Sequence, residues 1–204
     1  CQAYWYPLYA YVRRRGCSPQ DAEDRVQGFF ARLIRLNSLA NLHRGKGRFR
    51  AFLLASLKHY LADEWDREAA DKRDIRRTVS WDAMEADARY AAEPADRLSP
   101  ERLYERQWAL VLLQTVFNHL RDAYAAEGKS ELFALLHCAV TGGTPDYSEL
   151  AMRSGQTEGA LRVAAHRLRQ RYRQLLRNTI AETVESPDDI DAELADLRRV
   201  LTNA

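Results

Sequence analysis

The sequence predicts an all-α protein: two small helical domains joined by an acidic linker, the second containing a helix-turn-helix, with an amphipathic helix added at the C-terminal end. Three observations lead there. Nearly every segment repeats its apolar residues at a period of about 3.6, and the strict alternation of a half-buried strand is almost absent. Three Ser-Pro pairs, Ser18-Pro19, Ser99-Pro100 and Ser186-Pro187, have the form of helix starts. Serine caps the first turn, and proline fits the first helical position, where its missing N–H costs nothing. Composition also breaks near Thr78: from there to Pro100 lie five acids, two arginines and two prolines, the mark of an extended or partly helical linker. The expected boundaries are therefore 1–77, a linker over 78–99, 100–183, and an extension over 184–204.

The first helix runs from about Ala3 to Arg15, carries Tyr4, Leu8 and Val12 on one side, and stops at Gly16. The second, from Pro19 to about Leu36, has Val26, Phe29, Phe30, Leu33 and Ile34 as an inner face and shows Asp21, Asp24 and Gln27 on another. A basic loop, Arg44-Gly45-Lys46-Gly47-Arg48, leads to a third helix from Phe49 to about Arg67. Its apolar side is Phe49, Phe52, Leu53, Leu57, Tyr60, Leu61 and Trp65, leaving Arg50, Lys58, His59 and Asp63 at the boundary or outside. Ten Lys/Arg against six Asp/Glu between Arg44 and Arg77 make this a basic locality. Beyond the linker, Pro100 to about Ala126 is a long helix closed near Gly128, and Glu131 to Val140 a short one ending at Gly142-Gly143.

Asp146 to Arg177 reads as a short helix, a glycine turn and a long second helix. Tyr147, Leu150 and Ala151 face inward, Gly155 supplies the left-handed residue that ends a helix, and Thr157 caps the next one. Leu161, Ala165, Leu168, Tyr172 and Leu175 then form one apolar stripe, with Arg162, His166, Arg169 and Arg173 as a parallel basic stripe flanked by Arg167 and Arg171. No acid lies between Gly159 and Ile180. A solvated face normally mixes its charges, so a one-signed face points to a phosphate-bearing partner. The tail, Pro187 to Leu201, places Ile190, Leu194, Leu197 and Leu201 on one side of a helix whose first half is acidic. It is expected to pack on the second domain; a sharper alternative is that its acids compete with DNA for the arginine helix.

Net charge is only +2, so the basic helix is a local concentration. Cys1, Cys17 and Cys138 are odd in number and widely spaced, which argues against a disulfide framework or a zinc site and fits a reducing cytoplasm. No apolar run approaches the roughly 20 residues of a membrane span, so no membrane insertion is expected. His59 and Asp63 sit at i, i+4 beside Glu64, but no second ligand pair, phosphate-cradling loop or nucleophile motif accompanies them. No metal, cofactor or catalytic residue is expected. The chain opens on Cys1 rather than Met and is expected to lack some native residues there.

Two separated segments resemble one family. Asp21-Ala22-Glu23-Asp24 with Val26-Gln27, Phe30 and Arg32-Leu33 is similar to the polymerase-binding helix of bacterial sigma factors of the extracytoplasmic-function (ECF) group. Phe49-Arg50-Ala51-Phe52-Leu53 through Lys58 and Asp63 resembles that group's next helix, and Tyr147, Glu149-Leu150-Ala151, the glycine turn, Thr157-Glu158-Gly159 and His166-Arg167 resemble its second domain. The resemblance implies a factor that binds core RNA polymerase and starts transcription at promoters. Core polymerase would meet Asp21, Asp24, Gln27 and Phe30. The -10 element would meet Arg48, Arg50, Lys58, His59, Asp63 and Trp65, with Arg44, Lys46 and Tyr60 nearby. The -35 element would meet Thr157, Glu158, Arg162, His166, Arg167, Arg169 and Arg173. The acidic linker would thread the polymerase channels, and an anti-sigma factor is a candidate regulator.

Departures from the family pattern are His59, where asparagine is usual, and Val163-Ala164, where a serine-arginine pair is usual. The second puts the -35 sequence in doubt, though not the basic face. A stand-alone helix-turn-helix regulator is the nearest rival, and the acid face of the second helix separates the two, because a repressor has no use for it. A purely structural helical scaffold leaves both basic localities without a purpose.

Overall fold

The computed structural model describes residues 2–36, 48–70, 81–92 and 98–202. Every regular element among them is a helix, as the apolar periodicity predicts: α1 (Gln2–Arg14), α2 (Pro19–Arg35), α3 (Phe49–Ala70), α4 (Trp81–Ala91), α5 (Pro100–Ala126), α6 (Ser130–Leu136), a 3-10 turn (His137–Ala139), α7 (Tyr147–Ser154), α8 (Glu158–Ala181) and α9 (Asp189–Thr202). The chain divides into two compact units, one of residues 1–111 with 183–204 and one of residues 112–182. The division falls within α5, between Val111 and Leu112, not at the linker that composition suggested.

The first unit is built around α1. Every residue from Tyr6 to Val12 is buried, so α1 is enclosed on all sides instead of showing the one apolar face read from Tyr4, Leu8 and Val12. A helix apolar all round belongs in the interior. Pro7 lies inside it, at a cost of roughly 3 kcal/mol against alanine that this packing has to offset. Gly16, at φ +93, ends the helix in the left-handed region. Helices α2 and α4 pack on α1, and the shared core takes Val26, Phe29 and Leu33 from α2, Leu53, Leu57 and Leu61 from α3, Ala86 from α4, and Leu103 and Tyr104 from α5.

Helix α4 falls in the stretch read as a linker, and it is tied in by charge as well as burial. Asp87 accepts from Arg13 Nε at 2.9 Å and from the Tyr9 hydroxyl at 3.4 Å. Burial, then the neighbouring carboxylate, pushes the Tyr9 hydroxyl up to about 12. Helices α2 and α3 approach closely at Gly28, where a Cβ would collide with the Tyr60 hydroxyl.

Helix α9 also belongs to the first unit, not to the second domain where it was expected to pack. Its apolar stripe is visible in sequence, but a stripe does not name its partner. Ser186-Pro187 forms the turn before it instead of its first residues: Asp189 N–H bonds to Ser186 C=O at 3.0 Å.

The second unit packs α6 and α7 on α8. Its core is Leu120, Tyr124, Phe133, Leu136, Leu150, Leu161, Ala165 and Leu168.

Candidate functional site

The head of α3 carries the densest charge network among the described residues. Arg50, only 6 % exposed, donates from Nε and Nη2 to the two carboxylate oxygens of Glu193 at 2.6 and 3.1 Å. This is the fork-to-fork geometry in which arginine holds a carboxylate most firmly. The same guanidinium reaches Glu105 at 3.2 Å and Asp196 at 3.3 Å and lies 4.6 Å from the Trp108 ring centroid. Arg48 adds a contact to Glu193 at 2.9 Å and another to Asp196. Burial alone would loosen the Arg50 proton; hydrogen bonding and charge attraction from Glu193, then Glu105, outweigh it and hold the group above its usual value.

The backbone joins in. Phe49 N–H, one of the donors that a helix start leaves without an internal partner, is accepted by Thr183 C=O at 3.1 Å. The Tyr104 hydroxyl donates to Arg50 C=O at 2.9 Å, and burial, first among several influences, pushes that hydroxyl up. Arg50 therefore does not stand at the boundary of α3 as its position beside the apolar stripe suggests, because the tail and α5 close over it. Nothing in the local pattern flagged Glu193 and Asp196 as its partners; the only signal was two acids set among the apolar positions of the tail.

The rest of α3 divides the expected -10 residues among different neighbours. Lys58 pairs with Glu101 at 2.8 Å, and both are 43 % exposed. With Arg50, Ala51, Leu54, Ala55, Tyr104 and Glu105 it borders a groove of about 200 Å³. Asp63 pairs with Arg32 of α2 at 2.8 Å, and Trp65 lies under the guanidiniums of Arg15 and Arg25, 4.8 and 5.7 Å from its centroid. His59 is exposed. Tyr60, Arg32, Arg35 and Glu64 line a larger hollow of about 400 Å³ between α2 and α3. Arg44 and Lys46 lie outside the described residues.

On α2, Asp21, Asp24 and Gln27 are exposed and Phe30 is half-buried against Phe29. Asp21 belongs to a cap, since its N–H donates to Ser18 Oγ at 3.1 Å and its carboxylate accepts from that hydroxyl at 2.7 Å. Gln27 donates to the buried Glu23 at 2.9 Å. The acids thus keep an outward edge that helix capping explains for Asp21 alone.

In the second unit, Asp146 accepts from Ser148 and Glu149 N–H and starts α7; Gly155, at φ +69, ends it; Thr157 accepts from Ala160 N–H at 3.2 Å and starts α8. Arg162, His166, Arg167 and Arg173 are exposed along α8. Arg162 meets Glu158 at 3.2 Å and lies 4.7 Å over the Tyr147 ring. Arg169 turns inward, donating from Nε to Ala139 C=O at 3.1 Å, and Arg171 pairs with Glu127 at 2.5 Å.

No curated protein and no solved structure gave a significant match to the chain. Residues 2–70, about a third of the chain, match the family model for sigma-70 region 2. That stretch spans α1, α2 and α3, the helices that carry the exposed acids of α2 and the basic head of α3. Over residues 2–70 the chain is similar to region 2 of the sigma-70 family, whose members are transcription initiation factors and in which region 2 binds core RNA polymerase and recognises the -10 promoter element.

Proposed function

We propose that the chain is a sigma factor of the ECF type, in which region 2 is followed by a second DNA reader for the -35 element. The second reader is the α7–Gly155–α8 segment. What supports this above all is the exposed face of Arg162, His166, Arg167 and Arg173 on α8, on a helix with no acid between Gly159 and Ile180. A helix of this kind suits a major groove, where arginines reach phosphates and base edges. Arg169 braces the helix from the side, through its bond to Ala139. In the first unit, Asp21, Asp24 and Gln27 face the polymerase with Phe30 beneath them, while α3 holds the opened -10 strand in the cytoplasm of the cell.

Transcription from a promoter library by core polymerase plus this protein tests the proposal. Transcripts that start downstream of one shared pair of elements are expected. A protein that shifts duplex DNA in a gel but yields no start sites would be a stand-alone regulator. Arg162→Ala is expected to weaken -35 binding by on the order of 1 to 3 kcal/mol if the side chain reads a base edge, and the loss is then confined to one position of the element.

A further inference from the structure

We propose that α9 is a displaceable acidic lid on the nucleic-acid face of the first unit, with Glu193 and Asp196 occupying the places that strand phosphates take when promoter DNA is held. The inference rests on the reading of α3 as the -10 helix. It follows from what meets at the head of that helix. Two arginines, Arg48 and Arg50, and the Phe49 N–H, which has no partner within α3, converge there, and a helix start adds partial positive charge. That combination binds anionic oxygen. In this structure its oxygens come from Glu193, Asp196 and Thr183 C=O, all from one tail segment.

Glu193 is 1 % exposed although it sits on a short terminal helix, and its two carboxylate oxygens serve Arg50 and Arg48 together. Leu197, one turn on, is buried, so α9 is seated by apolar contact as well as charge. A tail needed only to cover apolar surface would not set one buried carboxylate, Glu193, and a second, partly buried one, Asp196, on two arginines. While α9 is seated, Arg50 is closed to solvent; when it lifts, both guanidiniums and the α3 start open towards the groove bordered by Lys58.

The lid predicts competition between tail and DNA. Single-stranded oligonucleotides carrying the -10 element are titrated against the full-length chain and against the full-length Glu193→Gln/Asp196→Asn variant, with folding checked by circular dichroism. The variant is expected to bind about tenfold more tightly, and Arg48→Ala in that background to remove the gain. Equal affinity of the two chains overturns the lid. Should the double variant not fold, hydrogen exchange of the wild-type chain decides: α9 amides are expected to exchange faster in the open promoter complex with core polymerase than in the free protein, and unchanged protection overturns the proposal. If no open complex forms while duplex DNA is bound, it is the sigma-factor reading that fails, and the failure is visible separately in the library transcription.

Discussion

Arg50 carries two opposing demands, and the balance between them can be measured. A guanidinium taken out of water is costly unless carboxylates meet it, and here Glu193, Asp196 and Glu105 do. Removing one partner of such a cluster leaves the other charge buried. Arg50→Ala is therefore expected to destabilise the first unit by roughly 3 kcal/mol, read as a lower urea midpoint. A loss of a few tenths would show that Arg48 alone satisfies Glu193. The exposed pair Lys58–Glu101 makes the contrast. Lys58 hydrogen-bonds Glu101, which lowers the acid and raises the amine. A lowered acid contributes stability above its unfolded pKa that is lost as pH falls through the folded one. A raised amine contributes below its unfolded pKa, lost as pH rises through the folded one. The pair thus acts between roughly pH 5 and pH 10. Being nearly half exposed, it is worth about 0.5 kcal/mol. A Lys58→Ala and Glu101→Ala cycle should show that coupling near neutrality and none at about pH 2.

At the scale of elements, what sequence shows depends on whether the cause is local. The start and end of α7 and the start of α8 are set within a few residues by Asp146, Gly155 and Thr157, and the last two of these are legible in the sequence. Thr157→Ala and Asp146→Ala are each expected to cost about 1 kcal/mol. Gly155→Ala, at φ +69, should cost a similar amount, because a Cβ is strained in the left-handed region whatever the space around it. Thermal melts check all three. The second unit should lose stability without any shift in the tyrosine titration that Tyr9 gives in the first. Causes that lie far away in sequence were not readable. Spacing puts Tyr4, Leu8 and Val12 on one face of α1, yet Tyr6, Tyr9 and Tyr11 are buried as well, because α2 and α4 arrive from elsewhere in the chain. Gly28 gave no local sign that Tyr60 lies against it. The acid edge of α2 and the basic stripe of α8 were legible as faces, while Arg169, turned to Ala139, and Arg50, closed under α9, were not, since each is decided by a tertiary partner.

For the whole molecule, the informative quantity is where charge sits, since a net charge of +2 conceals two basic localities, the head of α3, covered by acids of α9, and the exposed face of α8. Each surface should have its own dependence on salt, because counterions leave a duplex and a single strand in different number. Binding to duplex loses about 0.9 log units per log unit of salt for each phosphate neutralised, against about 0.7 for a single strand. If Arg162, Arg167 and Arg173 of α8 each hold one duplex phosphate, the slope is expected to be about -2.7; Arg48 and Arg50 on a single strand would give about -1.4. Fluorescence anisotropy of the full chain on -35 duplex and on -10 single strand, across a salt series, measures both. Arg167→Ala and Arg173→Ala should each flatten the duplex line by about 0.9 and leave the single-strand line alone. Weaker binding at unchanged slope would mean that those arginines contact base edges instead of phosphates. An effect on the single-strand line would mean that the two basic surfaces do not act as separate readers, and the assignment of one promoter element to each compact unit would have to be abandoned.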